Sequence, residues 1–255
     1  MAASLAGSAA FAFPVAGAAS GAAAGPGGAE VAGGPAASKP FRMDLYRQGD
    51  FVGQTNLVQC VGASMQMMLN MMRPFDDRTA AFQLELQNLA RKWSPRRFPG
   101  AGPTAPTRPR RGASSRGWAF GLTLLGYGPY RLTGFVSVEE AVESAALAMR
   151  RTGRPAGLLV WQGANAWVMS GFEASGDPLT DASADVSHVF VQDPLYPRTS
   201  SVWGPSPAPD SRLSLDVLDA DFVPWRLTST SAMAGRFVVV LPLDWRPRGG
   251  RPRRA

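Results

Sequence analysis

The sequence predicts an α+β fold, because helical patterns come first along the chain and strand patterns follow them. The chain has 255 residues, of which 45% are apolar and 18% are charged. This length and composition predict one main globular domain. We expect the domain to span residues 41–245, between a leader of residues 1–40 and a basic tail of residues 246–255.

The first predicted helix covers residues 60–73 and ends before Pro74, because proline cannot continue a helix. Apolar residues recur along it at the three-to-four spacing of a single helix face: Val61, Met65, Met68, Leu69 and Met72. We interpret its methionines as flexible core residues rather than as a metal-binding strip.

Three further helices are predicted before the strands begin. One covers about residues 78–92, and a short one ends at Gly126 after a Pro/Gly/Arg-rich loop. Ser137 and Glu140 form a capping box that begins the last of them, which ends near Arg151. Four strand patterns follow: "GLLVWQ", "AWVMSGF", "VSHVFVQDP" and "RFVVVLPL".

Cysteine and histidine are too scarce for most metal chemistry. The chain has one of each, Cys60 and His188, which excludes an internal disulfide and a thiolate zinc cluster. No phosphate-binding glycine loop follows a predicted strand. We therefore expect no metal and no cofactor.

The formal net charge of +7 is concentrated in Pro/Gly-rich segments. Residues 91–116 and the tail 246–255 hold many of the arginines. A nucleic-acid site usually needs a basic face interleaved with aromatic residues on a recognisable module, and the sequence has no such module. We interpret both segments as solvated and expect no nucleic-acid partner. A module that is recruited through these arginines is an alternative.

Residues 1–40 are rich in small residues and lack an early basic residue. Three interpretations stay open: a signal peptide whose start is missing, a poor membrane anchor, and a disordered leader. Membrane contact is expected only through residues 1–24. We expect an exported or cell-surface protein, or a cytoplasmic one if the leader is only disordered.

Cys60 stands at the start of the first predicted helix, six positions after Gln54. The free N–H groups and dipole at a helix start favour a thiolate, which lowers the pKa of a thiol. An upstream glutamine amide can donate a hydrogen bond to an oxyanion. A cysteine in this position can also be a buried structural residue.

Four separated segments resemble one family in the same order along the chain. They are the run that begins "CVGASMQMML", the strand pair in "GRPAGLLVWQGANAWVMSGF", the segment "VFVQDPLYP", and "GRFVVVLPLDW". Together they resemble papain-like cysteine peptidases, in the bacteriocin-leader (double-glycine) branch, peptidase family thirty-nine, with its exported bacterial relatives of actinobacterial type. The resemblance implies a helical N-terminal part packed on a C-terminal antiparallel sheet, a monomer, and a peptide or protein ligand.

The resemblance also implies roles for four residues. Cys60 takes the nucleophile position, Gln54 the oxyanion-hole position, and Asp193 the position that orients the catalytic imidazole. Asn165 stands where the family has its histidine. An asparagine amide cannot act as a base near neutral pH, so the resemblance implies a degenerate peptidase, a pseudoenzyme that keeps peptide binding.

An active thiol-dependent peptidase or amide hydrolase is the alternative function. Its base would be His188 after a rearrangement, or water together with Asp193. If Asn165 pairs opposite Asp193 in neighbouring antiparallel strands, His188 pairs with Ser170. His188 then lies about 17 Å along the strand from Asp193 and on the other face of the sheet, which disfavours it as the base.

Overall fold

The computed structural model describes residues 39–94, 112–226 and 232–244. Nearly all of the predicted leader, most of the arginine-rich loop and the predicted tail 246–255 lie outside the described residues. None of the helices within these ranges is long and apolar enough to cross a membrane.

Helices and strands alternate irregularly along the described ranges. The helices are α1 (Cys60–Met72), α2 (Ala80–Lys92), α3 (Ser115–Leu124), α4 (Val138–Thr152) and α5 (Leu215–Asp219). The strands are β1 (Phe41–Asp44), β2 (Tyr130–Phe135), β3 (Ala156–Val160), β4 (Asn165–Ala174), β5 (Val186–Gln192), β6 (Thr199–Ser200), β7 (Gly204–Pro205), β8 (Ser211–Ser214) and β9 (Phe237–Pro242).

Seven of these strands form one antiparallel sheet in the order β2-β9-β3-β4-β5-β8, and β1 pairs with the second half of β4. The combination of helices with an antiparallel sheet is compatible with the predicted α+β class. The strands do not all follow the helices, however, because β1 precedes α1 and β2 precedes α4. Both are short, and charged or glycine residues interrupt their apolar patterns.

The sheet has a hydrophobic core on each face. One core packs α4 and α5 against side chains such as Leu158 and Trp167. The other packs α1, α2 and α3 against the strand residues that alternate with those of the first core, such as Leu159 and Val168. Successive strand residues point to opposite faces of a sheet, so strands β3 and β4 are buried on both sides.

Helix α1 is buried on all sides rather than along one face, since every residue from Val61 to Asn70 is buried. Its methionines Met65, Met67 and Met68 have no exposed surface, which agrees with their interpretation as core residues. Two buried polar side chains are satisfied by backbone groups: Ser64 Oγ donates to Ala166 O, and Asn70 Nδ2 donates to Asp50 O.

The predicted end signals of α4 are present. Ser137 Oγ accepts a hydrogen bond from the Glu140 N–H at 3.1 Å, and the Glu140 carboxylate accepts one from the Val136 N–H at 3.0 Å. The carboxylate therefore reaches one residue further back than a capping box requires. Gly153 ends the helix in a left-handed conformation with φ of 64°.

Candidate functional site

The start of β4 and the end of β5 meet beside the start of α1. Asn165 is the first residue of β4, and its Nδ2 donates a hydrogen bond to Asp193 Oδ1 at 3.0 Å. Both side chains are buried, Asp193 completely. The structure thus pairs the two residues that the sequence assigned to the base and to its orienting group.

Cys60 lies next to this pair. Its thiol interacts with the backbone N–H groups of Val61 and Ala166 and with the charge of Asp193. The Ala166 N–H also donates to Asn165 Oδ1 at 2.9 Å. The thiol and the Asn165 amide therefore approach the same backbone N–H, which brings Cys60, Asn165 and Asp193 into one cluster.

The position of Ala166 is fixed from the helix. Ser64, one turn after Cys60, donates from Oγ to Ala166 O at 2.7 Å, and both groups are buried. One residue of β4 thus faces the thiol with its N–H and binds α1 with its carbonyl oxygen. This bond sets the distance between the helix start and the strand start.

Burial raises the pKa of the Cys60 thiol to about 11. The N–H groups of Val61 and Ala166 oppose this rise, whereas the negative charge of Asp193 adds to it. Although Cys60 keeps some exposed surface, desolvation of the sulfur outweighs the effect of the helix start, which alone predicts a lowered pKa. A thiol with this pKa is a thiolate in about one molecule in ten thousand at pH 7.

Gln54 lies against the segment that follows Asp193. Its backbone N–H donates to Pro194 O at 2.7 Å, and its side chain is buried. The side-chain Nε2 donates to Asn56 O at 2.9 Å, so one of its two N–H groups is used within its own loop. An oxyanion role requires the second N–H group.

The Asp193 carboxyl lies in a nearly dry environment. Burial raises its pKa, and hydrogen bonding to the Leu195 N–H and to Asn165 opposes the rise. Ser206 and Trp167 also favour the charged form, although Asp193 Oδ2, Ser206 Oγ and Trp167 Nε1 form no hydrogen bond among the described residues. Asp193 Oδ1 alone accepts two bonds, from Asn165 and from Leu195 N at 2.8 Å.

Two glutamines of α2 hold the loop between Gln54 and Cys60, and the sequence analysis missed both. Gln83 accepts from the Thr55 N–H at 2.9 Å and donates to Gly53 O at 3.1 Å. Gln87 accepts from the Gly62 N–H and donates to Val58 O, both at 2.9 Å. Their signal was a glutamine pair at i and i+4 beside the apolar positions of an amphipathic helix, which places them toward the core.

His188 lies far from the thiol, and the predicted strand register was wrong. His188 pairs with Glu173 rather than with Ser170, because β4 and β5 are already offset by two residues at the Val168–Gln192 pair and a bulge after Met169 adds one more. Glu173 is eight residues from Asn165, about 27 Å along an extended strand. His188 faces Glu173 at 3.7 Å on the partly exposed surface of the sheet.

The turn before Asn165 is held in an uncommon conformation. Trp161 and Gln162 have φ of 58° and 59°, a region that non-glycine residues seldom adopt. Trp161 Nε1 donates to Asp221 Oδ1 at 2.7 Å. Its ring stacks on the ring of Trp203, with 6.2 Å between the ring centroids. Trp161 and Trp167 are both buried in a hydrophobic core, so packing explains them without a substrate groove.

No family model matches the chain, and neither a curated protein nor a solved structure matches it.

Proposed function

We propose that the chain is a degenerate papain-like cysteine peptidase domain that binds a peptide and has lost most of its hydrolytic activity. The resemblance in the sequence is the basis for the family. In an intact site, a thiolate attacks the peptide carbonyl carbon, an acyl-enzyme forms, and water resolves it. Asn165 removes the group that would take the thiol proton.

The observation that carries this proposal is the Cys60–Asn165–Asp193 cluster. It brings together a sulfur, an amide and a carboxylate, the three positions that the resemblance implies for nucleophile, base and orienting group. The amide donates to Asp193 Oδ1 and accepts from the Ala166 N–H, so it has no acceptor of suitable basicity for the thiol proton. The thiol pKa of about 11 agrees with a site that lacks an imidazolium partner.

Retained peptide binding is supported by the hydrogen-bond donors at the helix start. The N–H groups of Val61 and Ala166 lie against the sulfur. The Ala166 N–H already donates to Asn165 Oδ1, so the Val61 N–H is the donor that the carbonyl oxygen of a bound peptide can use. Gln83 and Gln87 fix the loop that forms one side of this position. A preorganised loop lowers the entropy cost of binding.

Replacing Asn165 by histidine tests the assignment of the base position. The Asn165→His variant should react with an electrophilic peptidyl probe at least about 100-fold faster than the wild type, because a base is restored. The Asn165→Ala variant is the matched control and should show no gain. If histidine gives no gain in a correctly folded protein, Asn165 is not at a base position and the proposal fails.

Peptide binding is measured separately from chemistry. A fluorescent peptide that ends in Gly-Gly, the class that the resemblance implies, should bind the Cys60→Ala variant as tightly as the wild type. A scrambled peptide without the glycine pair is the control. Equal binding of both peptides, or of neither, would contradict a retained peptide site.

An active thiol hydrolase is the second candidate, and one observation favours it. Burial raises the pKa of Asp193, which lies within electrostatic reach of Cys60, so this carboxylate is more basic than an exposed one. Such an enzyme would label with the peptidyl probe at pH 6–7 without any substitution, and an Asp193→Asn variant would not. The degenerate domain predicts little labelling of either protein.

A further inference from the structure

A cleft on the far side of the sheet from α1 has the composition of a binding site for a small anion. It lies between α4 and the strands β2 and β9, with a volume of about 260 Å³. None of its lining residues belongs to the Cys60 cluster. The proposed peptidase-like function does not use it.

The cleft is lined by one side of each element. From β2 it receives alternate residues, Arg131, Thr133 and Phe135, which point to the same face of the sheet. From α4 it receives Ser144, Ala148 and Arg151, which are spaced at four and three residues and so share one face of the helix.

The two arginines lie at the same end. The chain turns back between β2 and α4, so Phe135 is near the start of the helix, and Arg131 lies about 14 Å away along the strand. Arg151 lies about 10 Å along the helix from Ser144, in the same direction. The cleft therefore has a cationic end at Arg131 and Arg151 and a less polar end at Phe135 and Ser144.

Neither guanidinium has a carboxylate partner among the described residues. The ion pairs there use other arginines: Arg42, Arg47, Arg150 and Arg212. Arg131 Nε donates only to Thr133 Oγ1, at 3.3 Å, and both arginines are exposed. One carboxylate, that of Asp244, lines the cleft against these two positive charges.

The floor of the cleft is apolar. Phe135 and Leu241 are buried beneath it, and Leu147 is partly exposed along the wall. Small-molecule sites combine an apolar lining with a few polar groups that orient the ligand. Here the floor begins at Leu241, which pairs opposite Arg131, and extends along β2 to Phe135, away from the guanidiniums.

We infer that this cleft binds a small amphiphilic carboxylate, with its head group between Arg131 and Arg151 and its hydrocarbon tail running from Leu241, opposite Arg131, toward Leu147 and Phe135. Two guanidiniums can each donate hydrogen bonds to a carboxylate, and charge-assisted bonds of this kind are stronger than neutral ones. The hydroxyl of Thr133 borders the head group. An extended hydrocarbon tail matches the linear floor between β2 and α4.

The test uses octanoate as the probe and follows the amide signals of the folded, full-length protein by NMR. Octanoate should shift the signals of β2 and α4 with a saturable curve, whereas 1-octanol and octylammonium, which have the same tail, should bind at least about tenfold more weakly. Equal binding of octanol and octanoate would overturn the inference, since the arginines would then contribute nothing.

Two variants separate the head-group contacts from the tail contacts. Replacing both arginines by glutamine (Arg131→Gln and Arg151→Gln) should weaken octanoate binding at least about tenfold, while Arg116→Gln, an exposed arginine on α3, should have no effect. Ser144→Trp should abolish binding by filling the apolar end. Undiminished binding in either cleft variant, or no binding to the wild type, would refute the assignment.

Discussion

Cys60 shows that the position of a thiol at a helix start does not by itself determine its pKa. The helix start offers the Val61 N–H, but the sulfur loses its water, and the nearby Asp193 charge disfavours a second negative group. A peptidase overcomes these costs with an imidazolium. The sequence shows an asparagine at position 165, whereas the degree of desolvation depends on how the strands β4 and β5 pack beside α1.

The reaction of Cys60 with iodoacetamide should therefore be slow and should depend steeply on pH. Between pH 7 and pH 10 the rate should rise about tenfold per pH unit, because only the thiolate reacts. At pH 7 it should be about 100-fold slower than for a thiol with the ordinary pKa of 9.0, since the pKa is about 11. Mass spectrometry of the single cysteine measures the rate, and a plateau below pH 9 would contradict the raised pKa.

Asp210 is a second residue whose surroundings change its protonation. Burial raises its pKa to about 6, and Asp44 adds to the rise, while Arg42, Ser170 and Gln192 oppose it. Its backbone N–H donates to Gln192 Oε1 at 3.0 Å, next to Asp193 in the chain. Asp210 has φ of 61°, a conformation that asparagine also adopts readily.

The Asp210→Asn variant should lose part of the pH dependence of stability. In the wild type the folded state holds this proton more tightly than the unfolded state does, with a pKa of about 6 against 3.8. Its contribution to stability is therefore present below pH 3.8 and is lost as the pH rises through about 6. Melting temperatures from pH 4 to pH 7 should fall more for the wild type than for the variant, and parallel profiles would disprove the assignment.

At the scale of elements, α2 stabilises the site although it contributes no reacting group. Gln83 and Gln87 replace the backbone partners that the loop 53–58 lacks, and Gly62 allows the close approach of α1 to α2, since a Cβ there would lie 2.8 Å from Gln83 O. The site thus depends on a helix–helix contact as well as on the strands.

Replacing Gln87 by alanine should destabilise the fold and loosen this loop. The buried Gly62 N–H loses its partner, which costs about 1–3 kcal/mol, and the Val58 carbonyl loses its bond to α2. Urea denaturation measures the change in the free energy of unfolding, and proteolysis at the loop 55–58 should become faster. Asn88→Ala, at the exposed position next to it, is the control, and an equal loss there would contradict the role of Gln87.

The elements differ in how far the sequence predicts them. Helices α1 and α4 carry their own limits, Pro74 for the first and Ser137 and Gly153 for the second, and the structure has both. Strands β1 and β8 have four residues each and no apolar run. The sequence therefore does not distinguish them from loops, and they are identified as strands by their pairing with β4 and β5. The β4–β5 register was mispredicted because β4 is buried on both faces, so its apolar pattern does not fix the offset of its partner, and because a bulge leaves no signal in the sequence.

For the whole molecule, the shared sheet joins the two hydrophobic cores. Strands β3, β4 and β9 contribute alternate residues to both cores, so neither core can lose its packing while the other keeps it. The molecule should unfold as one cooperative unit. Far-ultraviolet and near-ultraviolet circular dichroism should give the same melting midpoint, and two separated transitions would show that the cores are independent.

The order of strands has a consequence for synthesis on the ribosome. Strand β9 ends at Pro242, yet it lies inside the sheet between β2 and β3. While the nascent chain still lacks these residues, β2 and β3 both present unpaired edges, which are the surfaces through which polypeptides aggregate. A chaperone that shields newly made chains should therefore raise the yield most during the interval between the emergence of β3 and that of β9.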